Sequence, residues 1–152
     1  MSKADLGLHP LTHGALHYCF GCGLENRAGL RLRFYTDDAG QVVSPLRLAR
    51  RFQGPPGHAH GGIIATLLDE AMSKANRARD VVAMTRTLEV EYLRPVPVGV
   101  ALRLTARHLS AEGRKHECEA ELSNSKGEVL ARGRALFIAI GAERFRGHQT
   151  GN

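Results

Sequence analysis

The 152-residue chain contains no tryptophan, and aromatic residues make up only 5% of it. Its core must therefore be built mainly from Leu, Val, Ile and Ala. No apolar run approaches the roughly 18 residues that a membrane-spanning helix needs. The N-terminal segment lacks the apolar region and the small-residue cleavage site of a secretory signal. We therefore expect a cytoplasmic protein without a membrane partner, long enough to form one domain with a substantial core.

Cysteine is also scarce, because the chain has only three, an odd number that does not suggest a secreted disulfide scaffold. Two of them occur in "HGALHYCFGCG", which contains His13, His17, Cys19 and Cys22. A C-x-x-C pair near two histidines resembles half of a zinc knuckle, but four ligands so close in sequence are cramped for a structural zinc site. We expect this segment to be an arm that packs against the domain, with no metal. The sequence leaves open whether these four residues bind one.

The formal net charge of +6 favours an anionic partner through long-range steering. The basic residues are spread along the chain, without a dense block and without the interleaved aromatic residues on which bases stack. We therefore expect no nucleic-acid partner. A solvated basic surface and a site for a small phosphate-bearing ligand are the two readings that remain.

Hydrophobic periodicity predicts one long helix among several strands. The helix is predicted at 61–79, and alternating or two-sided apolar patterns predict strands at 30–35, 41–48, 83–97, 99–109, 114–122 and 128–140. One helix on an antiparallel sheet is an α+β arrangement. We expect a curled sheet of five to six strands wrapped around the helix in a domain at 30–141. An arm at 1–29 and a flexible tail at 142–152 flank it.

The predicted helix has an apolar arc of roughly 200° when its residues are spaced about 100° apart. Such an arc is wide for a surface helix, so a concave partner should enclose it. Asp69 falls at the edge of the arc, whereas Glu70 and Lys74 fall on the opposite side and are expected to be solvated. Partial burial of Asp69 should raise the pKa of its carboxyl group.

Two segments carry a resemblance to a known family. "HGGIIATLLDEA" is similar to the element that opens the central helix of hotdog-fold thioesterases of the phenylacetic-acid-degradation type, in which an Asp follows the first Gly by eight residues. "LEVEYLRPVPVG" resembles the strand that follows this helix in the same group. The resemblance covers roughly residues 30 to 140 and implies the hotdog fold, acyl-CoA thioesterase activity and a homodimer or homotetramer.

The resemblance also implies different roles for residues at the start and in the middle of the helix. The N–H of Gly61, helped by Gly62, would polarise the thioester carbonyl. His60 would either cap the helix or hydrogen-bond within its loop, or it would orient or contact the substrate. Asp69 would act as nucleophile or general base, and the resemblance does not choose between the two. Because eight residues of helix span about 12 Å, the site implied combines Gly61 of one subunit with Asp69 of another. Thr85 would position the attacking water.

The remaining expectations concern coenzyme A, which would enter as part of the substrate and not as a cofactor. Four arginines are candidates for its phosphates: Arg86, Arg94, Arg132 and Arg134. The alternative function is a non-catalytic hotdog protein that binds acyl-CoA or another small ligand, because the fold alone does not fix the activity.

Overall fold

The computed structural model describes residues 2–12 and 16–141, so the predicted tail at 142–152 and His13 lie outside the described residues. Within this part, one antiparallel sheet contains seven strands: β1 (His9–Pro10), β2 (Tyr35–Thr36), β3 (Val42–Leu46), β4 (Ala83–Tyr92), β5 (Leu102–Glu112), β6 (Lys115–Asn124) and β7 (Val129–Ala139). The α-helix α1 (Gly61–Arg77) lies between β3 and β4 in the chain, and two short 3₁₀ helices occur at Ala4–Leu6 and Arg50–Phe52.

The strand order in the sheet is β1-β2-β3-β5-β6-β7-β4. The connection through α1 therefore carries the chain from β3 across the sheet to β4 at its far edge. Helix α1 contacts β3, β4, β5, β6 and β7, so the sheet encloses it on one face. This is the predicted α+β arrangement. The sheet has one strand more than the upper predicted count of six, because the two-residue β1 from the N-terminal arm extends it.

Helix α1 forms because good helix formers follow a histidine cap, and it is held by its apolar face. Its buried apolar residues are Ile64, Leu67, Leu68, Ala71, Met72 and Ala75, as the predicted arc requires. The chain leaves the helix at Ala78 and adopts a positive φ of 60° at Asp80, which ends the helical path. The helix thus begins and ends near the predicted positions.

The predicted strand at 30–35 is wrong for most of its length, because only Tyr35 belongs to a strand. Leu32 and Phe34 are buried, as the alternation predicted. The backbone N–H groups of Leu30 and Leu32 donate instead to the carbonyls of Phe20 and Gly21 in the N-terminal arm. The arm thus takes the hydrogen bonds that a neighbouring strand would otherwise provide.

Strand β4 forms one edge of the sheet, and among the described strands it pairs only with β7. The register shifts between Thr85 and Thr87, so Arg86 is an extra residue in a β-bulge. The bulge changes the alternation: Thr85 pairs with Phe137 and Leu88 with Ala135, both of which face the helix. Thr85 therefore lies on the same face as Leu88, although strict alternation would place them on opposite faces.

Candidate active site

The N-terminus of α1 is capped by His60, which has extended backbone dihedrals of −65° and 139°. The N–H of Gly62 donates to His60 Nδ1 over 2.9 Å. Nδ1 must then be the unprotonated nitrogen, which leaves the proton of the neutral ring on Nε2. In this conformation the Gly62 N–H is already used, and its predicted help to a substrate carbonyl stays a prediction.

Gly61 presents the open N–H of the helix start. Its N–H has no hydrogen-bond partner among residues 2–12 and 16–141, and its carbonyl accepts from the Tyr92 hydroxyl over 2.8 Å. Gly61 and Tyr92 line a cavity of about 430 Å³ whose other walls include Ile64 and Val96. An unpaired N–H at a helix N-terminus beside an apolar cavity suits a carbonyl or oxyanion ligand.

Asp69 is half-buried near the middle of α1, and its Oδ1 accepts from the Thr85 hydroxyl over 2.6 Å. Burial raises the pKa of the Asp69 carboxyl above its usual value, the Thr85 hydrogen bond lowers it, and the charge of Glu70 raises it again. The net direction is upward, as predicted from the position of Asp69 on the helix. The β4 bulge makes this contact possible because it turns Thr85 toward the helix.

Gly61 and Asp69 do not meet within one chain. Eight helical residues separate them, a rise of about 12 Å, whereas a base and a carbonyl bound at the Gly61 N–H must lie within about one water molecule of each other. The structure therefore brings His60 to Gly62 and Asp69 to Thr85, as two separate half-sites on one helix.

The face of β4 nearest these half-sites is apolar and open. Leu88 and Tyr92, which face α1, are 36% and 53% exposed. Exposed apolar side chains along an unpaired strand edge are typical of an interaction surface.

The four candidate arginines differ in their surroundings. Arg94 pairs with Glu128 beside the cavity at Gly61. Arg134 donates to Glu117 over 2.7 Å on the outer face of the sheet, where Arg132 lies between Glu91 and Glu121 of the flanking strands. Arg86 at the bulge is exposed and has no ion pair among the described residues. Arg86 and Arg94 thus lie nearest the half-sites.

The prediction that Glu70 and Lys74 are solvated is wrong. The Lys74 side chain is 1% exposed and that of Glu70 is 14% exposed, and Lys74 Nζ lies 3.1 Å from Glu70 Oε1. The arm covers both: Cys22 Sγ lies 3.2 Å from Lys74 Nζ, and a Cβ at Gly21 would come within 2.6 Å of the Glu70 carboxylate. The predicted packing of the arm against the domain is therefore correct, and it hides the polar side of the helix.

Three groups in this region could hold a metal ion. The thiols of Cys19 and Cys22 and one carboxylate oxygen of Glu70 lie within 4.8 Å of one another. His17 is exposed, and His13 lies outside the described residues. The sequence could not have indicated Glu70, because it lies 48 positions after Cys22 and its spacing matches no ligand motif.

Tyr92 was not predicted as part of the site. The alternation of β4 placed it on the helix-facing side of the strand, and an aromatic hydroxyl there must find a polar partner. The carbonyl of Gly61 is that partner, so Tyr92 fixes the helix start against the edge strand. The signal that could have pointed to this contact is the same alternation, which groups Tyr92 with Leu88 and Val90 on one face of the predicted strand.

A helix enclosed by an antiparallel sheet defines a hotdog-fold protein. The open N–H at the helix start and the half-buried acid in its middle form a two-part candidate site. The model of the family described as "Thioesterase superfamily" matches residues 56–131, which are half of the chain. The chain belongs to this family. The predicted resemblance to hotdog thioesterases is therefore confirmed.

Individual relatives agree with this membership. The chain is 30% identical over 112 residues to the acyl-coenzyme A thioesterase THEM4 of Mus musculus. The aligned region covers 73% of this chain and 48% of the relative. It spans about half the length of the curated relatives it matches. The solved thioesterase superfamily protein RHA08564 is 32% identical with a TM-score of 0.77, covering 80% of this chain and 60% of that one. BH2602 of Bacillus halodurans, solved with CoA, is 25% identical with a TM-score of 0.66, covering 74% and 76%.

Residues 2–12 and 16–141 contain no helix that is long and apolar enough to cross a membrane. The expected cytoplasmic location remains a prediction.

Proposed function

We propose that this chain hydrolyses the thioester bond of an acyl- or aryl-CoA. The observation that carries the proposal is the half-buried Asp69 held by Thr85 on the helix whose first N–H, at Gly61, is open. Two similarities support the substrate class: relatives are named acyl-coenzyme A thioesterases, and BH2602 was solved with CoA.

The chemistry needs an oxyanion donor and an ionised carboxylate on opposite sides of the thioester carbonyl. The Gly61 N–H donates to the carbonyl oxygen and holds the charge that develops there, which is typically worth about 3 kcal/mol. Asp69 takes a proton from a water whose oxygen attacks the carbonyl carbon, or attacks the carbon itself to form an anhydride that water then hydrolyses. The C–S bond breaks, and the sulfur leaves as the CoA thiol with a proton.

The two half-sites are joined by a second copy of the chain. The exposed apolar residues of β4, on an edge with which no other described strand pairs, favour pairing with an identical strand about a twofold axis. In such a dimer the Gly61 end of one helix lies beside Asp69 of the other. We therefore propose a homodimer, or a tetramer built from it, as the active form.

The surrounding groups have supporting roles. Thr85 keeps the Asp69 carboxylate in one orientation and is close enough to hold the attacking water. The Nε2–H of His60 is free to contact the acyl group or the carbonyl. Arg86 and Arg94, nearest the half-sites, are the first candidates for the phosphates of CoA, with Arg132 and Arg134 behind them.

A hydrolysis panel tests the proposal. Short-chain, long-chain and aromatic acyl-CoAs are each incubated with the protein, and the released CoA thiol is measured with a thiol reagent. We expect turnover of at least one class. Binding of CoA without hydrolysis of any member would support the alternative, a non-catalytic ligand-binding protein.

Thr85→Val should move the acid limb of the pH–rate profile to higher pH. The Thr85 hydrogen bond stabilises the ionised form of Asp69 and lowers its pKa, so its loss raises the pKa further and the base is ionised only at higher pH. A hydrogen bond to a charged group is worth about 1.5 kcal/mol, so activity on the acid side should fall about tenfold. Thr85→Ser keeps the hydroxyl and should retain the wild-type limb. An unchanged limb in the Val variant would exclude Asp69 as the titrating group.

A further inference from the structure

A second chemically distinct cluster lies under the N-terminal arm, where two cysteines of the arm meet two charged residues of α1. Cys19 Sγ lies 3.8 Å from both carboxylate oxygens of Glu70, and Cys22 Sγ lies 3.2 Å from Lys74 Nζ. Lys74 in turn lies 3.1 Å from Glu70. The two sulfurs are within 4.8 Å of each other. The proposed thioesterase chemistry uses none of these four groups.

The arm turns back on itself around Cys19, whose thiol donates to the carboxylate of Glu70 over 3.8 Å. The Gly23 N–H closes the turn on the carbonyl of Cys19, and close backbone packing leaves no room for a Cβ at Gly23. Hydrogen bonds from the Cys22 thiol and from the N–H groups of Cys22 and Gly21 stabilise the Cys19 thiolate. The hydrogen bond from the Cys22 thiol has the largest effect on the pKa of Cys19. Together they lower the pKa of Cys19 to about 6, against burial and the charge of Glu70.

Cys22 has the opposite character. It is only 5% exposed, and its hydrogen bond to Cys19 and its burial raise the pKa of its thiol. Lys74, which donates to Cys22 Sγ, acts on this pKa in the opposite direction. The pair therefore consists of one partly exposed sulfur and one buried sulfur beside it. A nucleophilic thiolate next to a second thiol is the arrangement of an oxidisable dithiol.

A metal ion fits this cluster less well. The Lys74 ammonium already lies within 3.2 Å of Cys22 Sγ and 3.1 Å of Glu70 Oε1, where a bound cation would need to bind both groups. Because Lys74 is 1% exposed, its charge has little room to move away. A divalent cation would have to be placed beside a buried positive charge.

Both cysteines can be reached by a small molecule. Cys19 is partly exposed, and Cys22 lines a cavity of about 390 Å³ whose walls also include His17, Leu24 and Leu32. By contrast, Cys118 is fully buried between β5 and β7, and burial raises the pKa of its thiol to about 12. Cys118 is thus an unreactive thiol in the same molecule.

We propose that Cys19 and Cys22 form a thiol oxidation site at which hydrogen peroxide converts the pair to an intramolecular disulfide. The Cys19 thiolate attacks one peroxide oxygen, the O–O bond breaks, and Cys19 becomes a sulfenic acid while the other oxygen leaves as water after protonation. The Cys22 sulfur then attacks the Cys19 sulfur, and the hydroxyl leaves as a second water. Two thiols lose two electrons and two hydrogens, and one peroxide is reduced to two waters. This site is independent of the proposed thioesterase function.

Alkylation of the wild-type protein tests the reactivity of Cys19 against its own internal control. Iodoacetamide is added under native conditions and the three cysteines are followed by peptide mass spectrometry. We expect Cys19 to react at least about a hundredfold faster than Cys118 at neutral pH. Its rate should rise with pH to a plateau, with a midpoint at about pH 6. Equal rates for Cys19 and Cys118 would overturn the proposal.

A matched pair of variants tests the role of Cys22 as donor. Cys22→Ala removes the hydrogen bond that lowers the pKa of Cys19, so the alkylation midpoint should move to higher pH. Cys22→Ser keeps a donor and should move the midpoint less. A midpoint that is the same in wild type and in both variants would contradict this role.

Oxidation itself is tested with hydrogen peroxide and intact mass measurement. The wild type and Cys118→Ser should lose two hydrogen atoms, and a disulfide-linked Cys19–Cys22 peptide should appear and disappear on reduction. Cys22→Ser should stop at a sulfenic acid that a dimedone probe captures, and Cys19→Ser should not react. Peroxide that yields only disulfides between chains would overturn the proposal. So would one zinc per chain that protects both thiols from alkylation.

Discussion

Asp69→Asn should lower kcat for acyl-CoA hydrolysis by about 10³-fold, within the range expected for loss of a general base or nucleophile. Asparagine has the same shape, and its side-chain oxygen can still accept from the Thr85 hydroxyl, so the helix and the bulge should keep their geometry. The amide can neither take a proton from water nor attack a carbonyl. Steady-state kinetics measure the loss, and calorimetric titration with CoA should show unchanged binding.

Asp80→Asn is the matched control for this variant. Asp80 is an exposed acid just beyond the same helix, and asparagine tolerates its positive φ of 60°. Its kcat should equal that of the wild type. A wild-type kcat in Asp69→Asn would remove Asp69 from the reaction, whereas equal losses in both variants would indicate a general effect of charge.

Gly61→Pro should lower kcat by about 10² to 10³-fold, the usual loss when one oxyanion donor is removed. Proline is well tolerated at the first position of a helix, where its missing N–H has no partner within the helix. His60 already has the extended backbone that a residue before proline prefers, and a Cβ at Gly61 would meet Tyr92 at an ordinary 3.6 Å. The substitution therefore deletes one N–H with little other change.

Gly61→Ala is the control, because it adds the Cβ and keeps the N–H. It should retain activity close to the wild type, and circular dichroism should show the same thermal midpoint for both variants. If the Ala and Pro variants lose activity equally, the loss comes from crowding beside Tyr92 and the N–H is not an oxyanion donor.

The positions of Asp69 and Glu70 illustrate how far the sequence could predict the site. The period of the helix separates these neighbours by about 100°, and this was sufficient to place Asp69 at the edge of the core and to predict the direction of its pKa. The same reasoning failed for Glu70. A helical period describes which residues share a face, but not what covers that face, and here the covering arm comes from residues about 50 positions earlier.

Thr85 shows a second limit. Its selection came from the family resemblance, because strict alternation along the strand would have placed it with Thr87 on the outer face. The bulge at Arg86 reverses that alternation, and a bulge depends on pairing with β7, more than 40 residues later in the chain. The open N–H of Gly61 was predictable from its position at a helix start. The hydrogen bond from the Gly62 N–H to His60 depends on the side-chain rotamer of His60, which the sequence alone does not determine.

Mixing Asp69→Asn with Gly61→Pro tests most directly the central claim that each active site takes Gly61 from one chain and Asp69 from another. The two variants, carrying different tags, are unfolded and refolded together so that the chains pair at random. Half of the dimers are then mixed, and each mixed dimer has one site with both wild-type groups, so we expect activity to recover to about a quarter of the wild type. Mixed dimers that are purified through both tags and remain as inactive as the parents would contradict the shared site.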